Sequence, residues 1–166
     1  MRSFPRLIAE IYTAPVPWEW KPDEAARMGD GHFVARFMMG PYRYRVEISP
    51  GDEAAGTYEI VFFQEKNFPR DFTSRYDGTP RPYPSFQITG TGRAYEVFST
   101  VVDILKDFID VEQPLLIDFG ADEVSRQKLY ARIIQRVPQI VPDYVGIRKS
   151  RSKFQIKRKS GTRFGM

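Results

Sequence analysis

Cysteine is absent from the chain and histidine occurs once, at position 32. The first absence excludes disulfides, thiolate metal sites, iron–sulfur clusters and cysteine nucleophiles. The second excludes zinc hydrolase and deaminase sites, which need several His or Cys ligands, so no metal is expected. A serine–histidine dyad has only His32 to draw on, and the Gly29-Asp30-Gly31-His32 setting reads as a surface turn rather than a catalytic base. No apolar run reaches the roughly 18 residues of a membrane span, and the opening MRSFPRLIAEIYTAP is too poor in apolar residues for a signal peptide. A cytoplasmic protein is expected, either in a bacterial host or, for a phage-encoded chain, also in the virion. Internal repeats and low-complexity segments are missing as well.

What is present suits one folded unit. A chain of 166 residues can bury one core but not two, and 42% hydrophobic content with 28% charged residues is that of a globular protein rather than a disordered one. Charge is uneven. Residues 147–166 hold eight basic side chains (Arg148, Lys149, Arg151, Lys153, Lys157, Arg158, Lys159, Arg163) and no acidic one, leaving a body of 17 basic and 21 acidic residues. The reading is a single domain over 1–146 with a basic C-terminal arm over 147–166. Such an arm suits a phosphate-bearing partner, nucleic acid included, or an acidic protein surface, and equally a solvated, solubilising tail.

Two periodicities divide the chain. Leu7–Tyr12 suits an opening strand, and the stretch with Pro15, Pro17, Trp18, Trp20 and Pro22 suits a loop packed by its aromatics. Within the following segment only Asp23–Arg27 has helical character. Phe33, Ala35, Phe37 and Met39 then alternate with Val34, Arg36 and Met38, and Tyr42, Tyr44, Val46 and Ile48 alternate with Arg43, Arg45 and Glu47 across Gly40-Pro41. This is a hairpin with one polar face. Tyr58–Phe63 makes a third strand. Residues 66–84, with four prolines and Asp77-Gly78, form a long ordered loop, and Ser85–Thr89 a short strand. From Ala94 to Asp110 the apolar residues follow a helix period, Leu115–Phe119 is a strand, and a second helix capped by Asp122 or Ser125 runs to about Val137, where Pro138 and Pro142 stop it. Tyr144–Ile147 and Phe154–Arg158 close the fold. The expected class is α+β: a mostly antiparallel mixed sheet with two packed helices.

Between the short strand and the first long helix stands Gln87-Ile88-Thr89-Gly90-Thr91-Gly92-Arg93-Ala94. Glycines there let consecutive N–H groups point outward at the positive end of a helix, which suits a pyrophosphate. A plain strand-to-helix turn uses the same residues. A Rossmann turn lacks its third glycine here, and a P-loop its Gly-Lys-Ser/Thr. The pattern Gln87-x-x-Gly90-x-Gly92-x-Ala94 resembles the Gln/Arg-x-x-Gly-x-Gly/Ala loop of the GCN5-related N-acetyltransferases, and the helix–strand–helix–strand order after it is similar to that family's second half. The resemblance covers about residues 57–147. It implies an acetyltransferase-like fold and acetyl-CoA as cofactor, with the backbone of Gly90, Thr91, Gly92 and Arg93, after Gln87 and Ile88, holding the pyrophosphate. It also implies Tyr130, preceded by Leu129, as the general acid that protonates the departing CoA thiolate; a half-buried core tyrosine reads the same way. The amine acceptor is left open, and Glu59, Glu65 and Asp118 are equal candidates for a base.

Ser125, Arg126, Lys128, Leu129 and Tyr130, together with the 90–105 stretch, further resemble a group of tailed-phage proteins of no assigned activity. That resemblance implies the alternative function: a non-catalytic protein on the same scaffold, binding nucleic acid, a virion component or a host factor through its surface and basic arm.

Overall fold

The computed structural model describes residues 14–52, 54–65, 94–121 and 124–161. Its elements run β1 (Trp18–Trp20), α1 (Pro22–Met28), β2 (Phe33–Met39), β3 (Tyr42–Pro50), β4 (Thr57–Gln64), α2 (Ala94–Glu112), β5 (Leu116–Gly120), α3 (Val124–Ile140), β6 (Tyr144–Arg148) and β7 (Lys153–Arg158). The strands form one mixed sheet in the order β1-β2-β3-β4-β5-β7-β6, antiparallel everywhere except between β4 and β5. This is an α+β fold, with three helices among the described residues. None of those helices is long and apolar enough to cross a membrane.

The period-2 alternation decides which face is apolar. Ala35, Phe37, Val46, Ile48, Ile60 and Phe62 stand on one face and are buried there against the apolar stripes of α2 and α3. Phe108 of α2 meets Phe33 and Tyr58 edge-on at 5.0 Å each, and Tyr130 of α3 meets Phe62 on the same face. The stretch expected as an aromatic loop is instead the edge strand β1, whose ladder pairs Trp18 with Phe37 and Trp20 with Ala35. A polar seam on α2 holds it. Thr100 Oγ1 accepts from Val16 N, Asp103 from Trp18 Nε1 and Asp107 from Trp20 Nε1, at 3.0, 2.7 and 2.7 Å. Alternate strand residues advance about 6.6 Å and the helix residues at i, i+3 and i+7 about 4.5–6 Å, so the two repeats nearly match.

The opposite face is charged, and α1 lies on it. Arg36 and Arg45 are direct cross-strand neighbours, an arrangement that repels unless a carboxylate intervenes. Glu24 of α1 supplies it, reaching Arg36 at 2.9 Å and Arg45 at 3.1 Å; Glu65 holds Arg36 at 2.7 Å, and Glu47 lies 2.8 Å from Arg45 Nε. The polar face of the hairpin is thus partly covered rather than fully solvated.

Pro138 does not stop the second helix, which runs through it to Ile140 and ends two residues before Pro142. The residue four positions earlier, Ile134, loses its helical N–H partner to the proline. Its carbonyl is packed against Gly146 of β6, where a Cβ would stand 2.1 Å from the oxygen. A tertiary contact therefore occupies the site that the proline leaves free.

Tyr144, Tyr44 and Tyr58 titrate above their ordinary value. Burial raises Tyr144, with Asp143 and Asp110 adding to it against Arg158; burial also raises Tyr44 and Tyr58, helped by Tyr42 and Glu112 respectively. The Tyr144 hydroxyl donates to Pro114 O at 2.8 Å and must stay protonated to do so. Native values above the unfolded one, about 10, mean that this stability is intact below pH ~10 and is lost as pH rises through the native values. Urea midpoints measured from about pH 8 to about pH 11 should fall at the alkaline end, and Tyr144→Phe should flatten that fall. An equally steep fall in the variant would remove Tyr144 from the account.

Candidate functional site

Parallel pairing of β4 with β5 is short. The ladder joins Thr57 to Leu116, Tyr58 to Ile117 and Glu59 to Asp118, and then ends, although β4 runs on to Gln64 and β5 to Gly120. Beyond Glu59 each strand keeps its outer neighbour, β3 for β4 and β7 for β5. Among the described residues, β4 and β5 share no further pair past Glu59 and Asp118, and the sheet forks there.

Topology brings helix ends to this fork. A crossover between adjacent parallel strands returns antiparallel to them, so α2 begins at the carboxyl end of β4, and α3 begins four residues after β5 ends. In open sheets that end of the parallel strands is where ligands bind, because strand edges and helix N-termini converge on one crevice. The Tyr130 ring lies over the fork, edge-on to Phe119 of β5 at 4.8 Å, Phe62 of β4 at 5.9 Å and Phe154 of β7 at 5.8 Å. It is 2% exposed, which meets the core reading and keeps bulk water from its surroundings. Gln127, one turn earlier, donates from Nε2 to Ala121 O at 3.0 Å and ties the start of α3 to the end of β5.

A buried polar group stands at the same end. Tyr44 is the cross-strand partner of Gln64, the last residue of β4, and is 2% exposed with its ring stacked on Phe37 at 5.1 Å. Its hydroxyl has no hydrogen-bond partner among the described residues. Leaving such a group unsatisfied costs about 1–3 kcal/mol, so the arrangement fits a site that receives a polar ligand.

The expected pyrophosphate residues Gln87, Ile88, Gly90, Thr91, Gly92 and Arg93 lie outside the described residues, as do the loop over 66–84 and the strands expected at 7–12 and 85–89. Of the carboxylates considered as bases, Glu65 is engaged by Arg36 at 2.7 Å and Arg43 at 3.5 Å, and Asp118 accepts from Gln155 at 2.7 Å. Glu59 is exposed at the apex of the fork, across the ladder from Asp118.

The basic residues expected on an arm belong, through Arg158, to the sheet. β7 lies between β5 and β6, with Phe154 and Ile156 at most 1% exposed, because their alternation with Lys153, Gln155 and Lys157 is that of a strand. Arg148 turns back on the hairpin, donating to Ser150 O and Arg151 O and covering the Phe154 ring, and Arg158 donates to Gln113 O. Lys149, Arg151, Lys153, Lys157 and Lys159 are exposed, and Arg163 lies outside the described residues. No group of three or more metal-ligating side chains occurs among the described residues.

Comparison with protein-family models, curated proteins and solved structures finds no match.

Proposed function

We propose that the chain is an N-acyltransferase of the GCN5-related type that takes acetyl-CoA and an amine. The observation that carries this reading is the fork: β4 and β5, the one parallel pair among the described strands, share three residue pairs and then part, with Tyr130 over the parting and α2 starting at the same end. The fit to acetyl-CoA is chemical. Its pantetheine arm is an extended chain with two amides, the kind of chain that parallel strands parting at their carboxyl ends can receive between them. Its pyrophosphate suits the N-terminus of a 19-residue helix.

In the reaction, the amine nitrogen attacks the thioester carbonyl carbon. The C–N bond forms as the C–S bond breaks, the sulfur leaves as thiolate and the nitrogen loses a proton. Tyr130 donates the proton the thiolate takes up, and Glu59 or water accepts the one the amine releases. Orientation of the thioester by strand and helix supplies the remaining advantage.

Thiol release from acetyl-CoA in the presence of a panel of primary amines tests the role of Tyr130. Tyr130→Phe should lower turnover about 10²-fold or more while acetyl-CoA affinity stays unchanged. Turnover equal to wild type would make Tyr130 a core residue only.

One observation favours a second reading, in which the same scaffold binds a polyanion such as nucleic acid: five exposed cations gather on or beside the β6–β7 hairpin.

A further inference from the structure

We propose that the cavity between α1 and the last turns of α2 is a second ligand site, for a small organic cation with an apolar, preferably aromatic, body. The cavity measures 530 Å³, within the range of about 300–1,000 Å³ typical of small-molecule sites. Its apolar wall includes Trp20, Phe33, Val34 and Phe108, of which Val34 and Phe108 are buried. Phe33 stands at the junction, edge-on to Trp20 at 6.1 Å and to Phe108 at 5.0 Å. A flat apolar group entering there meets ring edges and faces rather than flexible aliphatic chains.

The charge around this wall is predominantly negative. Asp30, Asp107 and Glu112 line it, against one cation, Lys21, which is already paired with Glu19. Asp107 accepts from Trp20 Nε1 through Oδ2, and that bond fixes both the carboxylate and the indole that form one corner. The end of α2 adds to the field. α2 finishes at Glu112 with no basic residue in its last turn, so its negative end faces the cavity, while the end of α1 at Met28 is offset by Arg27 in its last turn. Arg158 reaches the Gln113 carbonyl just past α2 and is not part of the wall. An ammonium next to carboxylates and aromatic rings is held by ion pairing and by the ring quadrupole together; a carboxylate in the same place is repelled.

This site is independent of the fork. Phe108 lies fourteen residues from the start of α2, about 20 Å along the helix, and the fork is at the opposite end. The cation bound here is therefore not the amine in flight to the thioester.

Tryptamine and indole-3-acetate share a ring system and differ in charge, which makes them the probes. Thermal unfolding of the full chain with tryptamine at ten times its dissociation constant should rise by about 3–5 °C, and indole-3-acetate at the same concentration should give no rise. Ala26→Trp, a substitution at an exposed position of α1 on the cavity wall, should abolish the tryptamine effect, and Glu112→Gln should weaken tryptamine binding several-fold. Tyr130→Phe should leave the effect intact, which separates this site from the proposed transferase centre. Equal shifts from both probes, no shift from tryptamine, or a shift that survives Ala26→Trp would each overturn the proposal.

Discussion

Replacing Gly146 by alanine should cost about 4 kcal/mol or more, the size of loss reserved for a steric conflict that nothing can relieve. The added Cβ would stand 2.1 Å from the Ile134 oxygen and 2.6 Å from its carbonyl carbon and Cα, all backbone atoms of α3. A flexible side chain could swing away; a helix backbone cannot. Relief requires α3 to lift from β6, and α3 carries Leu129, Tyr130, Ile133, Ile134 and Val137 into the core. At about 2–4 °C per kcal/mol for a domain of this size, the melting temperature should drop by roughly 10 °C. Gly161, where an added Cβ meets nothing within 4 Å, provides the contrast, since only its positive φ resists substitution. Equal losses at the two positions would show that the α3–β6 contact is not as close as described.

Ending the chain at Gly146 should abolish folding. The deletion removes β7 from the sheet interior, leaves β5 and the remnant of β6 without their common neighbour, and takes Phe154 and Ile156 from the core. Phe154 stacks on Phe119 at 5.7 Å and meets Tyr130 at 5.8 Å, so its loss exposes both partners. Losing a buried phenylalanine alone costs about 3–5 kcal/mol, and with the ladder and Ile156 the sum reaches the whole stability of a typical domain, about 5–15 kcal/mol. Circular dichroism of the truncated chain should show no cooperative transition. By contrast, replacing Lys149, Arg151, Lys153 and Lys157 together by glutamine should leave the melting temperature within a few degrees, because these side chains are exposed. If the hairpin binds a polyanion, retention on a phosphate-rich or heparin matrix should fall in that variant, with a shallower salt dependence. A folded truncated chain would return residues 147–166 to the status of an appendage.

Much of the sheet is legible from the residues. The alternation through Phe33–Met39 and Tyr42–Ile48 gives the β2–β3 hairpin, and the apolar spacing of Val97, Val101, Ile104, Leu105 and Phe108 gives α2. What local pattern does not carry is partnership over long separation. Nothing near Glu59 or Asp118 announces that β4 and β5 are parallel, or that they part after three pairs, because both depend on where a 19-residue crossover helix returns the chain. Pro138 obeys a local rule that a contact with Gly146 overrides. The strand over Phe154–Arg158 is legible, but its place between β5 and β6, inside the sheet rather than on an arm, is not, since that depends on long-range pairing. The tryptophans of β1 look like loop packing until Asp103 and Asp107 are seen to take their indole protons. Of the candidate site, Tyr130 lies in the core beside Phe62, Phe119 and Phe154, and the glycine turn lies outside the described residues.

Thermal unfolding with and without about 1 mM acetyl-CoA, on the wild-type chain and on Gly92→Val, tests the transferase reading most directly. Ligand that binds only the native state raises the transition in proportion to the logarithm of its concentration over the dissociation constant. The account predicts a rise of several degrees in the wild-type chain that is absent in Gly92→Val, whose side chain would block close approach of the backbone to the pyrophosphate. No rise in the wild-type chain, or the same rise in both, would contradict it.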